Sequence, residues 1–152
     1  MKTRIIHTKI HFEDDWFNTL SIGYRYLFIY LFTNIHIGQT GAYNLSKRVA
    51  LLETGATEQE WDNACKKFAK DKKIIFIKDW IIVINAVKYS NYSGSKNKVA
   101  FETEFNNLPQ EVKDTVSIVY DTPINNKSYI INNKSFRITD CQISLTMFAL
   151  FS

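Results

Sequence analysis

Ser46-Lys-Arg-Val-Ala-Leu-Leu-Glu-Thr-Gly-Ala-Thr-Glu-Gln-Glu-Trp-Asp-Asn-Ala-Cys-Lys-Lys-Phe68, followed closely by Lys72-Lys-Ile-Ile-Phe-Ile-Lys-Asp-Trp-Ile-Ile-Val-Ile84, is the stretch that decides the fold. Ser46 is a suitable N-cap for a helix running to Thr54, and Gly55 supplies its C-terminal stop. Leu45, Val49 and Leu52 are expected to share the buried face of that helix. Thr57-x-x-Glu60 is a capping box, so a second helix opens at Thr57 after a turn of only Gly55-Ala56. In it Trp61, Ala64, Cys65 and Phe68 recur at i, i+3, i+4 and i+7, which predicts a core-facing stripe. Glu58, Gln59, Asp62, Asn63, Lys66, Lys67 and Lys70 are left for the outer face. The β-branched and aromatic runs 74–77 and 80–84, separated by Lys78-Asp79, predict a tight hairpin. Helix, turn, helix and hairpin in this order are the parts of a winged helix, with residues 57–70 as recognition helix and the hairpin as wing.

Working outward, residues 21–33 carry Tyr24, Leu27, Phe28 and Leu31 at helical spacing, with Ile29, Tyr30 and Phe32 making the other side apolar too. This predicts a central, largely buried helix. Residues 34–41 read as a loop and 42–45 as a short strand. Residues 1–20 read as an extended arm leading into a short helical turn. Beyond the hairpin a further helix is expected over 96–107, with Phe101, Phe105 and Leu108 on one side and Pro109 closing it or opening the next turn. Residues 122–134, rich in Asn, Lys, Ser and Tyr, look like a linker, and the apolar segment 143–151 has no assigned place. The expected fold class is therefore α+β and mainly helical: a winged helix-turn-helix with a two- to three-stranded antiparallel wing and an added C-terminal helix. The expected division is a domain over 1–110 and a short, partly flexible extension over 111–152.

Composition and charge narrow the function. The chain has 152 residues, 45% hydrophobic and 14% aromatic, enough to build one core, and a formal net charge of +4. Residues 1–100 hold 15 Lys and Arg against 9 Asp and Glu, whereas residues 101–152 hold 4 against 6. The basic part is the part with the helix-turn-helix pattern, which suits a polyanionic partner. Cys65 and Cys141 form no C-x-x-C pair, and the N-terminus has no apolar run of signal-peptide type, so a reduced, cytoplasmic protein is expected. The apolar runs fall well short of the roughly 20 residues of a membrane span. No membrane partner is expected.

A recognition helix must be amphipathic, with its core face apolar and polar or basic groups turned toward base edges and phosphates in a major groove roughly 12 Å wide. On residues 57–70, Gln59 and Asn63 have the chemistry to read adenine, and Lys66, Lys67 and Lys70 to hold phosphates or guanine. Lys47 and Arg48 occupy the first turn of the preceding helix, where such folds approach the DNA backbone, and Lys78 sits at the wing tip with Lys72 and Lys73 at its base. Lys88 follows in a basic, aromatic connector. Lys2, Arg4 and Lys9 are candidates for a basic arm. Glu58 and Asp62 weigh on the other side, since carboxylates at the leading end of the helix repel phosphate, although they also complement a helix N-terminus.

Catalytic readings find little. His7 and His11 are four apart without an intervening Glu, His36 stands alone, and Glu13-Asp14-Asp15 reads as a solvated or capping run. There is no phosphate-binding glycine loop, nucleophile elbow or zinc-type cysteine cluster. No enzyme, metal or cofactor is expected.

Several segments carry a family likeness: Thr3-Arg4-Ile5-Ile6-His7-Thr8 with Phe12-Glu-Asp-Asp-Trp16, Tyr26-Leu-Phe-Ile-Tyr-Leu-Phe-Thr-Asn34, Gly41-Ala-Tyr-Asn-Leu45, Glu53-Thr-Gly55, Lys72-Lys-Ile-Ile-Phe-Ile77, Trp80-Ile-Ile-Val-Ile-Asn85 and Leu108-Pro109. In this order they resemble the N-terminal winged-helix domain of phage replication initiators, or replisome organisers, over about residues 3–110. The resemblance implies binding to double-stranded DNA at a phage or plasmid origin, self-association as a dimer or higher oligomer, and contact with other replication proteins. It also implies Lys88-Tyr-Ser-Asn91 as the basic, aromatic segment after the wing. Only about 40 residues follow Pro109, fewer than the helicase-contacting domain with which family members continue, which leaves a truncated form or a protein that only binds DNA. Two other readings stay open: a transcriptional repressor of the same fold, and a phage-encoded interaction module or inhibitor that binds a host protein.

Overall fold

The computed structural model describes Arg4, residues 6–87 and residues 95–120, all within the unit Met1–Thr122. A 3-10 turn at Thr8–His11, in a segment expected to be extended, leads to α1 (Asp15–Thr19) and α2 (Ile22–Thr33). The Asp14 carboxylate caps α1 by accepting from Phe17 N at 2.9 Å. Arg25 closes its far end, donating from Nη2 to Asn18 O at 2.7 Å and from Nε to Leu20 O at 3.0 Å. Ser21 caps α2. Asn34 ends α2, its Nδ2 donating to Tyr30 O and its Oδ1 accepting from His36 N, so that one amide both stops the helix and turns the chain.

The next elements are β1 (Ala42–Asn44), α3 (Lys47–Thr54), α4 (Glu58–Lys70), β2 (Ile74–Ile77) and β3 (Trp80–Val83). Ser46 caps α3 through Val49 N, and Gly55 ends it with φ 71°, a left-handed conformation that glycine adopts without a Cβ penalty. The Thr57 and Glu60 capping box forms as expected. The three strands make one antiparallel sheet in the order β1-β3-β2, with Tyr43 opposite Ile81 and Phe76 also opposite Ile81 from the other side. β3 is central and buried on Ile81, Ile82 and Val83, as expected of a strand paired on both edges. The architecture is mixed α+β and mainly helical.

The core joins Phe17 of α1, Leu27 and Leu31 of α2, Trp61, Ala64 and Phe68 of α4 and Ile74, Ile81 and Val83 of the sheet. Phe68 lies fully buried among rings, 5.5 Å from Phe28, 6.1 Å from Trp16 and 6.2 Å from Tyr24, all near edge-to-face, the arrangement the ring quadrupole favours. Two expectations need correction. Leu52 is 84% exposed, because a face counted from Leu45 starts outside the helix; within α3 the buried residue is Ala50. Residues 111–152, expected as a short, partly flexible extension, start inside a helix, so regular structure runs past 110.

That helix is α6 (Gln110–Tyr120), which follows α5 (Ser95–Asn106). Val112, Thr115 and Val116 bury one face of it, while Phe101 of α5 is fully buried. The hydroxyl of Tyr120 donates to Val83 O at 2.7 Å, tying the end of α6 to the end of β3. Glu104 of α5 reaches the loop before β1 and accepts from Gln39 N (2.8 Å), Thr40 N (3.2 Å) and Thr40 Oγ1 (2.8 Å). Residues 122–134 and 143–151, assigned above as linker and apolar tail, lie outside the described residues, as does Cys141. No helix among the described residues is long and apolar enough to cross a membrane.

Candidate nucleic-acid interface

α4 presents two opposed faces. At 100° per residue, Gln59, Asn63, Lys66 and Lys70 fall within about 60° of arc, on the side opposite Trp61, Ala64 and Phe68. All four are exposed, so a ridge of two amides followed by two ammonium groups runs along the helix. The two lysines lie in the half of α4 nearer its C-terminus, where cations also complement the helix dipole.

Ion pairs flank this ridge on both sides. On one side Lys47 of α3 reaches across the turn to Asp62 at 2.9 Å and Glu58 at 3.3 Å. The hydrogen bond to Asp62, joined by that to Glu58, raises the Lys47 pKa and keeps the ammonium charged. The two carboxylates that weigh against phosphate at the leading end of α4 thus share one cation from the neighbouring helix, which leaves the trio with one negative charge. On the other side Lys67 pairs with Asp71 at 2.7 Å, and Asp71 also accepts from Trp16 Nε1 at 2.6 Å. Lys67 first and Trp16 second hold the Asp71 carboxyl below its ordinary value. Lys73 completes this flank, its ammonium 4.6 Å from the Trp16 ring centroid.

The expected site residues therefore divide. Gln59, Asn63, Lys66 and Lys70 come together on one face. Arg48 of α3 and Lys78 at the hairpin turn are exposed, and like Lys66 and Lys70 they make no ion pair among the described residues. Lys47 and Lys67 are engaged by carboxylates of the protein itself. Lys88 lies outside the described residues, together with the connector to Asn91 and Lys2. Of the proposed arm, Lys9 pairs with Glu13 at 3.1 Å, and Arg4 sits close to Glu104 and Tyr120, where partial burial is the largest influence on its guanidinium and lowers its pKa. Glu13-Asp14-Asp15 resolves into an ion-pair partner, a helix cap and a first-turn residue of α1.

Other groups became visible only in three dimensions. Cys65, on the inner side of α4, has its thiol pushed up to about 12 by burial, with Asp62 adding to the effect. Glu53 of α3 accepts from the Tyr30 hydroxyl (2.5 Å) and lies 2.8 Å from His36 Nε2, linking α3 to the end of α2. The Tyr30 bond first, then the His36 bond, lower the Glu53 pKa. The ionic ties Lys47 to Asp62 and Lys67 to Asp71 and the Glu53 tie hold α4 and α3 in place without using the ridge.

Fold and surface together define a mixed α+β protein with a three-stranded antiparallel sheet and one helix whose outer face is polar, basic and unengaged by its neighbours. No family model matches the chain, and no curated protein or solved structure matches it either.

Proposed function

We propose that this chain is a winged-helix protein that binds double-stranded DNA without catalysing a reaction, with α4 as recognition helix and the β2–β3 hairpin as wing. The observation that carries the reading is the ridge Gln59, Asn63, Lys66 and Lys70, exposed along a helix whose opposite face is locked into the core. The order α2, β1, α3, α4, β2, β3, with β3 between β1 and β2, agrees with a winged helix. A helix of this kind fits a major groove, amides toward base edges and ammonium groups toward phosphates. The resemblance to phage replication initiators supports origin recognition as the setting, with self-association and contact with other replication proteins. A role as an inhibitor of a host protein is the second reading: Glu58 and Asp62 share the single cation of Lys47, which leaves the leading end of α4 net acidic.

The test is a salt titration of affinity for duplex DNA. Each phosphate neutralised steepens the slope of log K against log[salt] by about 0.9, so Lys66→Ala with Lys70→Ala should flatten it by about 1.8. Lys96→Ala with Lys98→Ala, exposed on α5, should leave the slope unchanged. Absence of salt-dependent binding at low ionic strength refutes the reading.

A further inference from the structure

Four described residues adopt a left-handed backbone: Gly41 and Gly55, each with φ 71°, and Lys72 and Lys78, each with φ 54°. The two glycines need no explanation, whereas a side chain in this conformation crowds its own backbone and is disfavoured. Lys72 occupies the position after the C-cap of α4. Its N–H donates to Ala69 O, and that of Lys73 to Phe68 O, the paired bonds of a helix stop whose left-handed residue is most often glycine. The same chain places Gly55 at the left-handed stop of α3. Lys78 opens the two-residue turn between Ile77 and Trp80, again a position that glycine or asparagine fills with less strain.

Non-glycine residues held in sparsely populated backbone regions cluster at functional sites. Neither lysine makes an ion pair among the described residues, and both side chains are exposed. They bracket β2, and with roughly 3.3 Å per residue their Cα atoms lie up to about 20 Å apart, the rise of about six base pairs. We infer that Lys72 and Lys78 are a pair of phosphate anchors at the two ends of β2, held in a strained backbone because a cation is needed where the fold alone would take glycine. This rests on the DNA-binding reading and deepens it, giving Lys72 at the foot of the hairpin and Lys78 at its tip one shared role with a backbone cost attached to it.

The experiment measures folding stability and DNA affinity on the same variants: Lys72→Gly, Lys78→Gly, Lys72→Asn and Lys72→Arg. Glycine, and to a smaller degree asparagine, should raise the melting temperature by about 2–5 °C. Each uncharged variant should also weaken binding several-fold and flatten the salt slope by about 0.9, while Lys72→Arg keeps the slope of the parent chain. Glycine variants that bind DNA with an unchanged slope overturn the inference and leave the DNA reading standing. A lower melting temperature in Lys72→Gly also overturns it, since the lysine would then be serving the helix end. A parent chain with no salt-dependent DNA binding overturns the inference and the DNA reading together.

Discussion

Glu104 and Gly38 form a pair whose coupling can be worked out before it is measured. The Glu104 carboxylate takes three hydrogen bonds from the loop at Gln39 and Thr40, and Thr40 is fully buried. Glu104→Ala leaves two backbone N–H groups without that acceptor, while Thr40 Oγ1 keeps Ala42 O as a partner at 3.3 Å. Unsatisfied groups in such positions cost about 1–3 kcal/mol each, about 2–6 for the two, and because both hydrogen bonds are only part-buried and water reaches the loop, a loss of about 2–4 kcal/mol is expected. Gly38 faces the same carboxylate. A Cβ added there would stand 1.8 Å from Glu104 Oε1, well inside contact distance. Gly38→Ala must therefore expel the carboxylate from its donors and should cost about as much as Glu104→Ala. The backbone of Gly38 is not in the left-handed region, so with Glu104 already truncated the same alanine should be neutral or stabilising by about 0.4–1 kcal/mol. Urea denaturation of the two single variants and the double gives the cycle, with single-variant midpoint shifts of about 1–2 M for a slope near 2 kcal/mol/M. Strong non-additivity, about 2 kcal/mol or more, is the expected outcome. Additive costs would refute the claim that the loop, the glycine and α5 share one contact.

Two further expectations concern ionisation. Cys65 should resist alkylation at pH 8 in a folded Cys141→Ser chain and react on unfolding, since its thiol is neutral until about pH 12. The folded value lies above the unfolded one, so stability should fall as pH rises above about 9 and the unfolded thiol ionises first; rapid folded-state labelling would contradict the burial. For Glu53 the sign is opposite. Its folded pKa is lowered, so its contribution is present above the ordinary carboxylate range and is lost as pH falls through the lowered value. Parent and Glu53→Gln chains should converge in stability on acidification, and equal pH profiles would mean that Tyr30 and His36 do not bind the carboxylate.

Much of this was legible in the sequence because it is local. The Ser46 cap, the Thr57 and Glu60 box, the Gly55 stop and the i, i+3, i+4, i+7 stripe of α4 each depend on residues within a turn or two of one another. So does the placing of Gln59, Asn63, Lys66 and Lys70 on one outer face. The engagement of Lys47 and Lys67 was not legible in the same way. Lys47 and Asp62 are 15 residues apart, and their meeting depends on how α3 crosses α4. Lys67 and Asp71 do stand at i, i+4, a spacing that could have been noticed, but Trp16 joins them from another helix. α6 was missed because its apolar residues, Val112, Val116, Ile118 and Val119, are interspersed with Glu111, Lys113, Asp114 and Ser117. Pro109 followed by Gln-Glu, with valines four apart, is the signal that would have found it. The strain at Lys72 and Lys78 leaves no trace in composition, since both look like ordinary surface lysines until their backbone is seen.

The reach of Glu104 to Thr40 across 64 positions has a consequence for synthesis and for dissection of the chain. While the protein is being made, α2, α3, α4 and the hairpin can emerge before the acceptor for the loop leading into β1 exists. That loop stays without its anchor until α5 is out, and the end of β3 waits longer still for Tyr120. A shortened version that stops after the hairpin would carry every residue of the α4 ridge yet lack the carboxylate that binds the loop before the sheet's first strand. Among the described residues, a unit that keeps both ties must therefore run to Tyr120, well past the end of the α4 ridge.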